Sequence, residues 1–150
     1  MVTCTRRLEF DAGHRVPLHA SKCKTPHGHR YVVDITCDAP ELTAEGFVVD
    51  FGVVKQYVGA WIDEFLDHTM ILQRDDPFAL VMEQFHATHD LRRVFLMDSA
   101  PTAENIAKML FEVAKNLLTH DDEGHPMSYG LRVTSVVVWE TPNCRAEYRP

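Results

Sequence analysis

The residues best able to do chemistry lie in "KCKTPHGHRY", positions 22–31, where Cys23, His27 and His29 fall within seven positions. Along an extended chain alternate side chains share a face. His27 and His29, at i and i+2, therefore project to one side roughly 6.5–7 Å apart along the backbone, and two imidazoles so placed converge on one ion. A third imidazole stands at His14 in "FDAGHRV", at the end of a segment expected to pair with the stretch beginning at His29. Three neutral imidazoles with one position open form the donor set of a catalytic zinc ion, whereas structural zinc is closed by four protein ligands. Cys23 fits either case. As a fourth ligand it closes the site; as a free thiol beside a metal and the cations Lys22 and Lys24, it is a nucleophile or a base.

Two further groups bear on that choice. "FLDHTMIL" sets Asp67 beside His68, an acid–imidazole pair able to move protons next to a thiol, although an Asp–His pair also simply ends a helix. Glu140 closes the apolar run "VVVWE". A carboxylate there is costly unless paired, and the two parallel N–H donors on the amino-pyrimidinone edge of a pterin or guanine satisfy it bidentately. The plainer reading is a Glu emerging into solvent at a strand end. Arg15, Lys22, Lys24 and Arg30 surround the histidines and either draw a small phosphate-bearing substrate or form a solvated rim. "HATH" (His86, His89), His19, His120 and His125 read as surface histidines, since no further ligand is evident near them.

The elements that must position these groups follow from periodicity. Residues 2–12 and 29–37 read as strands, the second rich in β-branched and aromatic residues, with a basic, turn-rich loop between them. Val54, Val58, Trp61, Ile62 and Phe65 recur at helical spacing between Asp50 and Leu66, with the start near Asp50. Ile106, Met109, Leu110, Val113, Leu117 and Leu118 repeat the pattern after a start signal at Pro101 and Thr102. Residues 129–140 and 144–148 read as two strands across a "TPN" turn. The order β-β-α-α-β-β predicts an α+β fold, an antiparallel sheet with both helices on one face. Within 73–100, "DPFALVMEQFH" suggests a short helix and "RVFLM" a short strand.

A chain of 150 residues with 45% hydrophobic composition is sized for one domain, 1–150, with its own core. The formal charge of −7 argues against a general nucleic-acid binder. "MVTCTRRLEF" has no apolar signal region, and no run approaches the ~20 apolar residues of a membrane span. Four cysteines without a C-x-x-C pair suit reduced thiols and a cytoplasmic protein.

In order and spacing, "FDAGHRV", "KCKTPHGHRY", "GFVVDFGVVK", "LDHTMIL", "PTAEN" and "VWETP" resemble the family of 6-pyruvoyl-tetrahydropterin and 6-carboxytetrahydropterin synthases over almost the whole chain. The resemblance implies a tunnel fold: a four-stranded antiparallel sheet with two helices on one face, assembled as trimers and then as homohexamers, with active sites between subunits. It implies zinc on His14, His27 and His29, a catalytic set of Cys23, Asp67 and His68, and a pterin triphosphate anchored by Glu140. Thr102 and Glu104 resemble the family's substrate-side segment, though Thr102 also suits a helix cap. Three residues between Cys23 and His27 are similar to the bacterial carboxy-forming enzymes of the 7-deazaguanine (queuosine) pathway, whereas animal-type pyruvoyl synthases typically carry a longer gap. Gly13 departs from the family's frequent alanine or serine, and residues 73–100 exceed the usual connection.

Overall fold

Two twelve-residue strands, β1 (Thr3–His14) and β2 (His27–Asp38), pair antiparallel along their full length in the computed structural model, which describes residues 1–91, 94–119 and 130–150. Their alternation sorts the side chains. Leu8, Phe10, Ala12 and His14 share a buried face with Tyr31, Val33, Ile35 and Cys37, while Arg7, Glu9, Asp11, Arg30 and Asp34 occupy the other. That second face is laced by bidentate Arg7–Asp34 and Arg30–Asp11 pairs across the strands. β5 (Arg132–Thr141) joins the far side of β2, and β6 (Cys144–Tyr148) follows it antiparallel.

The first expected helix is continuous but not uniform. α1 (Phe51–Val54), capped by the Asp50 carboxylate, which accepts from the Gly52 N–H, runs through a π-helical segment (Lys55–Gly59) into α2 (Ala60–Phe65). α4 (Ala103–Thr119) buries Ile106, Ala107, Leu110, Phe111, Ala114 and Leu118. It packs on β5 and β6 and against the π segment, so both helices cover the same sheet face. Between them and the sheet lies one contiguous apolar core.

The sheet is larger than the four expected strands. β3 (Thr69–Gln73) lies parallel to the end of β1, and β4 (Phe95–Met97) lies parallel to β3, giving the order β4-β3-β1-β2-β5-β6. α3 (Pro77–His89), capped by Asp76 with Pro77 in its first turn, connects them. The four long strands remain antiparallel; the addition is a β-α-β unit in residues 69–97. β3, whose "TMILQ" runs three apolar residues together without alternation, escaped the pattern, while the short helix and part of "RVFLM" did not. Arg93 of that segment and Tyr129 at the start of the expected strand 129–140 lie outside the described residues. Gly13 has a local cause: a Cβ there would sit 2.3 Å from the Met70 sulfur of β3.

Leu110→Ala, at a fully buried position, is expected to cost about 2–5 kcal/mol in thermal unfolding. Gly13→Ala should cost under about 1 kcal/mol, because the flexible Met70 thioether can turn aside. A larger loss there would show Met70 locked in place.

Candidate active site

The register of β1 and β2 opposes His14 to His27 and Ala12 to His29, and all three histidines point to the core-facing side. Their ring centroids lie 4.5–5.0 Å apart. One ligand atom from each lies within 4.8 Å of the others, the one such group of potential metal ligands among the described residues. His14 Nδ1 donates to the Pro101 carbonyl at 2.7 Å and His27 Nδ1 to the Thr25 carbonyl at 2.8 Å. A carbonyl only accepts, so in the neutral rings both Nδ1 atoms carry the proton and both Nε2 atoms present lone pairs. Those two Nε2 atoms face each other at 3.1 Å, and His29 Nε2 is buried with no partner. Lone pairs converging in a buried place repel unless a cation lies among them. Two ~2.0–2.1 Å zinc–nitrogen bonds at a tetrahedral angle put their nitrogens about 3.3 Å apart, close to the observed spacing. The donor set fits zinc, with the two carbonyls as outer supports of the kind that orient metal-binding imidazoles.

Electrostatics agree. Burial, offset in part by the Pro101 hydrogen bond, lowers the His14 pKa to about 4. Burial also lowers that of His29, against the raising influence of Glu140. Both rings are thereby kept in the neutral form that binds metal.

The cluster forms one wall of a cavity of about 890 Å³. Cys23, in a 3₁₀ turn (Lys22–Lys24), lines it, as do Thr102 and Glu104 at the start of α4 and Glu140 near the end of β5. Glu140 Oε1 lies 3.9 Å from His14 Nε2. Cys23 is outside the metal-ligand group, so the cluster has three protein donors rather than four. The Thr102 hydroxyl accepts from the Asn105 N–H at 3.4 Å, a long cap bond that leaves it on the cavity wall.

Asp67 and His68 lie elsewhere. They follow α2; His68 joins a shallow cleft with Gly13 and Gly28 and with Asp11 and Arg30, whose side chains lie on the sheet face away from the cavity, and Asp67 is bonded to the Asp11 backbone there. His68, in the turn between α2 and β3 and two residues past the Leu66 cap, adopts the left-handed conformation (φ 57°) that favours glycine. β1 holds the pair through Asp11: its N–H donates to Asp67 Oδ1 at 2.9 Å, and its carbonyl accepts from the His68 N–H at 2.6 Å. The Asp67 Oδ2 to His68 Nδ1 distance is 2.7 Å. Burial raises the Asp67 carboxyl, but the Asp11 N–H and His68 outweigh it and leave its pKa below the ordinary value.

The basic rim divides. Arg30 is committed to Asp11, and Arg15 lies 2.9 Å from the buried Asp76; Lys22 lines the cavity. His19, exposed as expected, stands at the cavity edge and accepts from the Ser21 N–H. His89 stacks on Phe85 in α3. His120 and His125 lie outside the described residues. Sequence reasoning missed Cys144 and Thr141 on the cavity wall and the Pro101 and Thr25 carbonyls. The "TPN" turn was a usable signal for the first two; backbone acceptors leave none.

Among the described residues three imidazoles converge without a fourth protein donor, beside a free thiol in a large cavity, an arrangement that suits an open metal site better than a closed structural one. The chain belongs to the 6-pyruvoyl tetrahydropterin synthase family, whose model matches residues 3–150. It is 42% identical over 148 residues to the 6-carboxy-5,6,7,8-tetrahydropterin synthase of Rickettsia conorii, covering 98% of this chain and 99% of the relative. It is 29% identical to the synthase of the same name from Aquifex aeolicus, covering 97% and 96%. Among solved structures, an uncharacterised protein from Wolinella succinogenes superposes with a TM-score of 0.78 at 24% identity, covering 99% of this chain and 97% of that one. The Caenorhabditis elegans 6-pyruvoyl tetrahydropterin synthase superposes at 0.63 and 23%, covering 99% and 95%. These two establish likeness of fold.

His29→Ala should bring zinc content from about one per chain to near zero, whereas Cys23→Ala should retain it; elemental analysis after dialysis decides. In metal-free protein the unfolded chain takes up a proton at His14 before the folded one does. Stability is therefore full above pH ~6.5 and falls as the pH drops toward about 4, by about 3 kcal/mol at most from this group. Urea midpoints that stay flat across that window would contradict the burial of a neutral His14.

Proposed function

We propose that the chain converts 7,8-dihydroneopterin triphosphate and one water molecule to 6-carboxy-5,6,7,8-tetrahydropterin, acetaldehyde and triphosphate, the carboxy-forming step of a 7-deazaguanine pathway, as a single cytoplasmic domain spanning 1–150. The observation that carries this reading is the cavity where the His14–His27–His29 cluster, Cys23 and Glu140 meet. Its support is the 42% identity to a relative named for that product. Four free cysteines suit a reducing compartment, and among the described residues no helix is long and apolar enough to cross a membrane.

In this reading Glu140 accepts two parallel N–H bonds from the pterin edge, which fixes the ring and aims its side chain at the histidines. His14, His27 and His29 hold zinc, whose chemistry when bound is Lewis-acid polarisation of the substrate's side-chain oxygens. Cys23 removes a proton from the side chain at the cavity wall. His68, oriented by Asp67, returns one. Thr102 and Glu104 border the substrate where α4 begins, and Lys22 faces its polyphosphate.

Asp67 and His68 sit on the far sheet face from Cys23 of the same chain, which favours a site completed by a second copy. The strand edges favour the same assembly. Before Ala12, β1 has no strand on its outer edge among the described residues, and neither has β6. A groove of about 450 Å³, lined by Arg6–Glu9, Gly52 and Gly59, runs along that open edge, where an added strand would pair. Antiparallel pairing of β6 with β1 of the next copy closes a tunnel-like barrel, as trimers that stack into a homohexamer.

The test is incubation of zinc-loaded protein with 7,8-dihydroneopterin triphosphate, with pterin product followed by mass and acetaldehyde by trapping. Carboxytetrahydropterin with acetaldehyde is expected. A pyruvoyl product without acetaldehyde would place the chain in the biopterin-type reaction, and no turnover by folded, zinc-bound protein would leave a binding role. Cys23→Ala and His68→Ala should each lose about 10²–10⁴-fold in turnover. Mixed after subunit exchange, the two variants should regain activity, because one intact site then forms from two defective chains; no recovery would place the whole set in one subunit.

A further inference from the structure

One buried polar group is left unused by the chemistry above. Tyr31 is 0% exposed, and its hydroxyl has no hydrogen-bond partner among the described residues. Its ring stacks on Phe10 with centroids 5.0 Å apart, and it stands edge-on to His14 and His29 at 5.8 and 5.5 Å. A phenylalanine would fill the same space without burying an unpaired hydroxyl, which is more costly than an apolar group of the same shape. Such a group is explained if it gains a partner when the site is loaded. The neighbouring acceptor follows from register: β2 and β5 pair Val33 with Val138 and Val32 with Trp139, where their ladder ends, and the residues that follow, Tyr31 and Glu140, both stand beside His14, the Tyr31 ring at 5.8 Å from its ring and Glu140 Oε1 at 3.9 Å from its Nε2. Val33 and Val138 are buried on the core side, and Tyr31 and Glu140 are two residues along on each strand, hence on the same face. Cross-strand neighbours of this kind are within side-chain reach.

We propose that Tyr31 is a positioning residue for Glu140: in the loaded site its hydroxyl donates to the Glu140 carboxylate and holds it in the plane needed to grip the pterin edge. This rests on the reading of Glu140 as the ring anchor. In the unloaded protein the carboxylate instead turns toward His14.

Tyr31→Phe removes the hydroxyl alone. With neopterin as probe in calorimetry on zinc-loaded protein, the variant should bind about tenfold more weakly, with KM for the triphosphate substrate raised by a similar factor and kcat within about twofold. Zinc content should not change, and the melting temperature without ligand should hold or rise. In a Glu140→Ala background the same substitution should have no further effect on binding. Unchanged neopterin affinity in Tyr31→Phe overturns the proposal while leaving the pterin site standing. An equal loss with and without Glu140 also overturns it, since the hydroxyl would then act elsewhere. Failure of the unsubstituted protein to bind neopterin overturns both the site and this inference.

Discussion

The structure depends on the register between β1 and β2. With His14 opposite His27, three imidazoles, a tyrosine and the apolar side chains of both strands fall on one face, and the charged pairs fall on the other. A slip of one residue would carry every one of these side chains across the sheet. The interactions that hold the register are therefore also those that build the site: Leu8, Phe10, Val33 and Ile35 in the core, and Arg7–Asp34 and Arg30–Asp11 on the open side. The helices add the remaining parts, because α4 begins at the cluster and the loop before it supplies the Pro101 carbonyl that orients His14.

A second constraint acts at the end of α2. A non-glycine residue in the left-handed region carries a cost of order 1 kcal/mol, and His68 accepts it where glycine would make the turn freely. The return is a fixed pair: both edge-facing peptide groups of Asp11 are used by Asp67 and His68, and β3 takes over the edge from Ala12 onward. A strand edge that elsewhere awaits a partner is here given to an acid–imidazole pair.

Much of this was legible in the sequence because it rests on local pattern. The i, i+2 histidines, the helical periodicities of residues 50–66 and 103–118 and the apolar run ending at Glu140 each leave a direct trace. The strands proved longer than expected, taking in His14 and His27, because a basic, glycine-containing segment reads as loop until pairing supplies its hydrogen bonds. β3 was hidden because its apolar run does not alternate with polar residues, and the π segment by an apolar spacing little different from an α-helix. The place of Asp67–His68 on the opposite face, the carbonyl supports of His14 and His27 and the orphan hydroxyl of Tyr31 depend on tertiary register, which a single sequence does not display.

The central claim is an open three-imidazole metal site with Cys23 free beside it. X-ray absorption at the zinc edge on zinc-loaded protein tests it most directly. The account predicts nitrogen and oxygen scatterers only, at about 2.0–2.1 Å, with the imidazole count near three; a sulfur scatterer at about 2.3 Å would make Cys23 a ligand and contradict it.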